Sequence, residues 1–144
     1  MWIYIKTDGN RMNPEEIYIV NVKDGVIKMN RDLFPEPVLQ LPEADIPLDG
    51  VNAYLSQGNG HQIIFMHFDR DIDLPEHEHA AQWGIVLEGR IDLAIGGVMR
   101  TYIRGDRYFI PPNVPHFGRI YAGYADMTFF AQPDRYPVKT RSSV

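Results

Sequence analysis

The chain has 144 residues and no cysteine, which excludes disulfide bonds, thiolate metal ligands and thiol nucleophiles. This length suits one folded domain, and a hydrophobic content of 44% is typical of a globular protein and not of a disordered one. Fourteen Lys and Arg residues against nineteen Asp and Glu residues give a net charge of -5, so the chain should repel nucleic acids and anionic membrane surfaces.

The N-terminal residues show no targeting signal. No basic segment precedes an apolar one, and no apolar run approaches the ~20 residues that a transmembrane helix needs. We therefore expect a cytoplasmic protein whose partners include neither nucleic acid nor a membrane.

The first third of the chain predicts a hairpin followed by a connector. Residues 17–22 and 26–29 are rich in β-branched side chains, and residues 23–25 supply a turn between them. Residues 34–50 contain four prolines, which remove backbone donors and predict an extended connector. We interpret residues 1–50 as an N-terminal β arm packed on a barrel.

Short strands separated by glycine-containing turns fill the rest of the chain. This spacing is typical of all-β sandwiches and barrels, and no long helical periodicity appears. We expect a barrel over residues 51–133 and a C-terminal tail over residues 134–144. The predicted strands are 51–57, 61–68, 82–87, 91–95, 98–103, 107–110, 118–122 and 124–131.

Three histidines have the spacing of a metal site. His77 and His79 are separated by one residue, so an extended chain places both imidazoles on one face. The adjacent glutamates, Glu76 and Glu78, then point outward. His116 follows thirty-seven residues after His79, and two intervening hairpins would return the chain to the same place. Neutral imidazoles from separate strands are good ligands for divalent transition metals.

Two segments carry a resemblance to a known family. Residues 77–89 read HEHAAQWGIVLEG, and residues 105–116 read GDRYFIPPNVPH. The first resembles the first cupin motif, a His-x-His pair followed by Glu and then Gly. The second resembles the second cupin motif, a Gly, a Pro, a small turn and a His. The chain is thus similar to small single-domain bacterial cupins over residues 51–132.

The resemblance implies a cupin-type double-stranded β-helix, a jelly-roll barrel, and commonly a homodimer. It places His77, His79, Gln82 and His116 at the metal-ligand positions, for a divalent Fe, Mn, Ni or Zn ion. The sequence departs from the motifs at several places: Gln82 stands where the family has Glu, Asn113 replaces the turn glycine, and Ile120 and Asp71 replace a trailing Asn and a leading Gly.

The amide at position 82 changes the charge of the site. Three imidazoles and an amide are neutral, so a divalent ion would keep its full charge, and an anion should be drawn to it. We therefore expect a small anionic ligand. In the alternative interpretation, Gln82 is a strand residue that hydrogen-bonds backbone.

Tyrosines and arginines are further candidates for the site. Tyr102, Tyr108 or Tyr124 could place a phenol near a substrate as acid, base or hydrogen-bond donor. An arginine could bind a carboxylate bidentately; the candidates are Arg90, Arg100, Arg104, Arg107 and Arg119. His61 and His67 match no motif and are interpreted as structural. In the last strand, Tyr124, Asp126 and Thr128 alternate with apolar residues, and either set could face the interior.

Three functions remain open from the sequence. The first is a metal-dependent enzyme of the isomerase, lyase or dioxygenase type, in which a divalent ion acts as a Lewis acid on a small polar or anionic substrate. The second is a binding or sensing module for a small molecule, because one fold hosts both functions. The third is a structural barrel whose histidines bond each other and water.

Overall fold

The computed structural model describes residues 19–23, 26–30 and 33–140. Residues 1–35 and residues 36–144 form two separate compact units. The predicted arm of residues 1–50 spans parts of both units, and its packing on the barrel stays a prediction.

The smaller unit contains a two-stranded antiparallel sheet. Strand β1 (Ile19–Lys23) pairs with strand β2 (Val26–Asn30), with Ile19 opposite Asn30 and Lys23 opposite Val26. This pairing confirms the predicted hairpin. Its turn at residues 24–25 and the predicted strand residues 17–18 lie outside the described residues.

The larger unit begins with a single helical turn, α1 (Glu36–Leu39), inside the connector that was predicted to be extended. The expectation was wrong there because Pro37 sits in the first turn, where a backbone N–H has no partner in any case. The described part of the chain contains no helix with the length and apolar character of a membrane span.

Nine strands of the larger unit form two antiparallel sheets in a jelly-roll arrangement. One sheet has the order β5–β10–β7–β8, and the other has the order β3–β4–β11–β6–β9. The strand bounds are β3 Val51–Gln57, β4 Gln62–Phe68, β5 Ile72–His77, β6 Gln82–Glu88, β7 Arg90–Ile95, β8 Val98–Ile103, β9 Arg107–Ile110, β10 His116–Ile120 and β11 Ala125–Phe130.

Most predicted strands match these bounds within one residue, with two differences. Strand β5 was not among the predicted strands, because Pro75 and acidic residues interrupt its apolar pattern. It forms an edge of its sheet, where a missing N–H is tolerated. Strand β10 begins at His116, two residues earlier than predicted, so that Gly118 lies within the strand and not at its start.

The inner faces of the two sheets enclose the core. In β4, buried residues alternate strictly with partly exposed ones, as expected for a strand with one face inward. The main apolar members of the core are Leu55, Ile64, Val86, Ile91, Leu93, Ile110, Ile120 and Phe130.

The polar residues at the end of the barrel, Tyr124 before β11 and Asp126 and Thr128 within it, face the interior, as does Phe130. Tyr124, Asp126 and Thr128 are all buried, whereas Phe129 on the opposite face is 36% exposed. On that outer face Phe129 lies beside Trp83, and Trp83 lies beside Phe109. These exposed aromatics form an apolar row across three strands.

The homodimer that the family resemblance implies stays a prediction.

Candidate metal centre

Three histidines converge between the ends of two paired strands. His77 ends β5 and lies opposite His116, which begins β10. His79 follows β5 by two residues and brings its ring beside the other two. The possible ligand nitrogens of the three residues all lie within 4.8 Å of one another. The convergence predicted from their spacing is confirmed, and Glu76 and Glu78 are exposed as expected.

The turn of the second motif holds His79 in place. The backbone N–H of Asn113 donates a 2.9 Å hydrogen bond to the carbonyl oxygen of His79. Asn113 itself adopts a left-handed conformation with a φ of 60°, which asparagine tolerates better than most residues. The residue that replaces the usual turn glycine therefore preserves the turn.

Backbone carbonyl groups set the tautomer of all three imidazoles. The Nδ1 atoms of His77, His79 and His116 contact the carbonyl oxygens of Pro75, Ala80 and Val114, at 2.8, 2.7 and 2.9 Å respectively. A carbonyl oxygen accepts only, so each Nδ1 carries the proton and donates. In its neutral form each ring then presents an unprotonated Nε2, the arrangement seen in histidines that bind metals.

Two of these lone pairs face each other. Nε2 of His79 lies 3.1 Å from Nε2 of His116. Burial lowers the pKa of His79 to about 4 and also lowers the pKa of His116, so a proton between the rings is disfavoured near neutral pH. Two nitrogens bound to one ion at about 2.1 Å would lie about 3.0 Å apart at a right angle and about 3.4 Å apart at a tetrahedral angle. The donor set therefore fits a divalent transition-metal ion.

Gln82 lies in the wall of the same cavity. Its Nε2 donates a 3.2 Å hydrogen bond to the hydroxyl of Tyr108, not to backbone. Its Oε1 accepts no hydrogen bond from the described residues, which leaves this oxygen available as a ligand.

The three tyrosines differ in position. Tyr108 is buried in the cavity wall, and burial raises the pKa of its phenol. Tyr102 packs against the Tyr108 ring with their centroids 5.5 Å apart, and Tyr124 is buried and donates to Asp126. Of the three candidate tyrosines, Tyr108 alone belongs to the described residues that line the cavity.

The arginines named from the sequence lie elsewhere. Arg90 forms an ion pair with Asp92, Arg104 with Glu88, and Arg119 with both Asp71 and Asp73, and the three arginine side chains are exposed. Arg100 and Arg107 are exposed on β8 and β9. None of the five belongs to the described lining of the cavity.

The cavity has a volume of about 310 Å³ and is lined mainly by apolar side chains. Besides the histidines, Gln82 and Tyr108, its wall contains two charged residues that sequence reasoning did not assign to the site, Asp126 and Arg135. The alternation of residues in β11 indicates that Asp126 shares a face with Phe130. It does not indicate which face of the strand lies inside the barrel. No sequence signal marks Arg135, which follows the last strand.

Asp126 is a buried carboxyl group surrounded by hydroxyls. Its Oδ2 accepts a 2.8 Å hydrogen bond from Tyr124, whereas its buried Oδ1 has no partner within hydrogen-bonding geometry among the described residues. Burial raises the pKa of Asp126 to about 7, and the neighbouring hydroxyls of Tyr124, Thr128 and Tyr108 oppose that rise. This carboxyl group can therefore both donate and accept a proton near neutral pH.

Comparison with known proteins agrees with this fold. Residues 65–127 match the model of the cupin domain. No curated protein matches the chain in sequence. An RmlC-like cupin from Shewanella frigidimarina is 26% identical, with a TM-score of 0.58 over 67% of this chain and 87% of that one.

Two more distant structures share the fold alone. KdgF from Halomonas sp. is 19% identical, with a TM-score of 0.55 over 63% of this chain and 87% of its own. A variant of oxalate decarboxylase from Bacillus subtilis is 15% identical, with a TM-score of 0.57 over 67% of this chain and 29% of its own. The matched model, the jelly roll and the histidine cluster lead to one conclusion: residues 65–127 of this chain form a cupin domain.

Proposed function

We propose that the chain is a metal-dependent enzyme that acts on a small anionic substrate. His77, His79 and His116 would hold a divalent ion, with Oε1 of Gln82 as a fourth ligand. The observation that carries the proposal is the presence of the histidine cluster and the buried Asp126 in the wall of one cavity. When bound, the ion would supply Lewis-acid polarisation of a substrate carbonyl or hydroxyl group.

The side chains around the ion set the charge of the substrate. The four proposed ligands are neutral, so nothing in the set offsets the positive charge of a divalent ion. Arg135 adds a further positive charge in the same wall. A small hydroxy acid, oxo acid or related anion is therefore the substrate class that the cavity favours.

Asp126 would transfer the proton. A carboxyl group with a pKa of about 7 can take a proton from carbon or oxygen and return it at neutral pH. The Tyr124 hydroxyl, bonded to Oδ2, holds the carboxyl group in orientation and leaves the buried Oδ1 without a partner among the described residues. This role fits an isomerase or lyase, in which a proton is removed and another is returned.

A non-catalytic binding or sensing module is the second candidate. The observation that favours it is the apolar character of most of the cavity wall, in which core residues such as Leu93, Ile110 and Phe130 predominate. A wholly apolar wall would indicate binding alone. The buried carboxyl group of Asp126 in that wall favours catalysis.

Two measurements test the proposal. The first is elemental analysis of wild-type protein purified without chelator or nickel resin, repeated on His77→Ala and Gln82→Ala. We expect close to one divalent ion per chain in the wild type, little in His77→Ala and a reduced amount in Gln82→Ala. A wild type without a stoichiometric ion would contradict the metal-dependent function.

The second measurement separates catalysis from binding. A panel of 2-hydroxy and 2-oxo acids in D2O is followed by proton NMR for exchange of hydrogen on carbon. We expect the wild type to accelerate exchange for at least one acid, and Asp126→Asn to keep the metal and lose the exchange. Binding without exchange in the wild type would support the sensing module instead.

A further inference from the structure

Arg135 is held in the cavity wall by aromatic rings. Its guanidinium carbon lies 4.6 Å from the ring centre of Tyr136 and 5.7 Å from that of Phe130. The Phe130 ring meets the His79 ring edge-on, with centroids 5.5 Å apart. A continuous series of contacts therefore connects the guanidinium group to the histidine cluster, and it fixes the orientation of a planar donor.

The charge of Arg135 is uncompensated within the described residues. Its Nε is buried and has no hydrogen-bond partner there. The arginines that do form ion pairs have side chains 43% to 58% exposed, and Arg135 forms no such pair with a described acidic residue. Asp126, which shares the cavity wall, is bonded to Tyr124 instead.

Buried donors in proteins are nearly always paired, and an exception calls for an explanation such as a catalytic or binding role. A guanidinium group presents its N–H groups as a planar fork that matches a carboxylate, whereas an ammonium group does not. The cavity of about 310 Å³ would contain about ten groups of the size of a water molecule. Both features suit a small carboxylic acid.

We propose that Arg135 is a specificity-determining residue that binds a carboxylate group of the substrate, so that the site selects small carboxylic acids over neutral analogues. The inference rests on the proposed function for the identity of the site. A purely structural Arg135, which only ties the C-terminal segment to Phe130 and Tyr136, would instead affect stability and leave the preference for a charged ligand unchanged.

The test compares two probes of nearly the same shape, malonate and malonamide. Their affinities are measured by calorimetry on the full chain, both loaded with Zn²⁺ and freed of metal by chelator. We expect wild-type protein to bind malonate more tightly than malonamide in both forms. Arg135→Gln should lose roughly ten- to hundredfold in malonate affinity, the effect of one charge-assisted hydrogen bond, while malonamide affinity is unchanged.

A matched variant controls for charge. Arg100→Gln removes the same charge from the exposed face of β8, outside the cavity lining, and should bind malonate like the wild type. Arg135→Lys should retain part of the preference for malonate, because it keeps the charge and loses the fork. Equal malonate affinities of Arg135→Gln and Arg100→Gln would overturn the inference.

A measurement on the wild type tests the inference without requiring that any variant folds. In ¹⁵N-labelled protein, the Nε–H resonance of Arg135 should shift on addition of malonate and not of malonamide. An unchanged resonance at saturating malonate would overturn the inference.

The two proposals fail separately. A wild type that binds no metal would contradict the proposed function, yet a malonate preference in that protein that disappears in Arg135→Gln would still support the inference. A metal-binding wild type with no such preference would overturn the inference and leave the metal centre standing.

Discussion

Gly84 on β6 lies opposite Tyr108 on β9, and the phenol of Tyr108 occupies the space that a side chain at position 84 would need. The same phenol accepts the hydrogen bond from Nε2 of Gln82. The missing side chain at position 84 therefore places a hydroxyl group beside a proposed metal ligand.

Gly84→Ala should destabilise the protein and displace Tyr108. Overpacking of a buried site costs about 1–3 kcal/mol of unfolding free energy, measurable by urea denaturation. The control is the same change in a Tyr108→Ala background, where the space is open. An equal loss in both backgrounds would show that the ring is not the obstacle.

Removal of metal should lower the stability of the wild type and leave unchanged the stability of a variant that lacks one metal ligand. An ion at a hundred times its dissociation constant contributes about 2.7 kcal/mol, so a chelator should lower the melting temperature by on the order of 5–10 °C. His116→Ala should show no such shift. His61→Ala is the matched control, because His61 stacks on Phe129 outside the cluster and should respond like the wild type.

Gln82→Glu should bind a divalent ion more tightly and an anion more weakly. A carboxylate at position 82 would offset half of the charge of the ion, which strengthens its own bond and reduces the attraction for malonate. Metal affinity by competition with a chromogenic chelator and malonate affinity by calorimetry test both directions. Unchanged values for both would mean that position 82 does not contact the ion.

Asp126 should make metal-free protein less stable as pH rises. Its pKa is about 7 in the folded state and near the ordinary 3.8 when unfolded, so the folded chain binds more protons between these values. The contribution of Asp126 to the unfolding free energy is therefore greatest below about pH 4. It declines up to about pH 7, by at most about 4 kcal/mol.

Asp126→Asn isolates this contribution. The variant lacks the titrating group, so the difference in unfolding free energy between wild type and variant should change across that pH range. His79 and His116, whose burial lowers their pKa values, titrate in both proteins and cancel in the difference. A constant difference from pH 4 to pH 7 would contradict a raised pKa at Asp126.

The sequence by itself determined the strand-rich class and three members of the cluster. Strands alternate with a period of two, which predicted that His77 and His79 share a face. In the structure β5 ends at His77, and the hydrogen bond from Asn113 holds His79 beyond the strand. Their spacing to His116 was enough to predict convergence, because the intervening hairpins close locally through glycine turns. The resemblance to the second cupin motif marked Asn113 as a turn residue, and asparagine tolerates the left-handed conformation found there.

The tertiary structure alone decided which charged groups enter the cavity. The alternation of residues places Tyr124, Asp126 and Thr128 on one face of the chain but does not say whether that face is inside the barrel. The answer depends on how the two sheets pack, which no local pattern encodes. Arg135 follows the last strand and reaches the site only because Phe130 and Tyr136 hold it there. Burial, which raises the pKa of Asp126 and leaves Nε of Arg135 unpaired, is a property of the assembled interior and not of any segment.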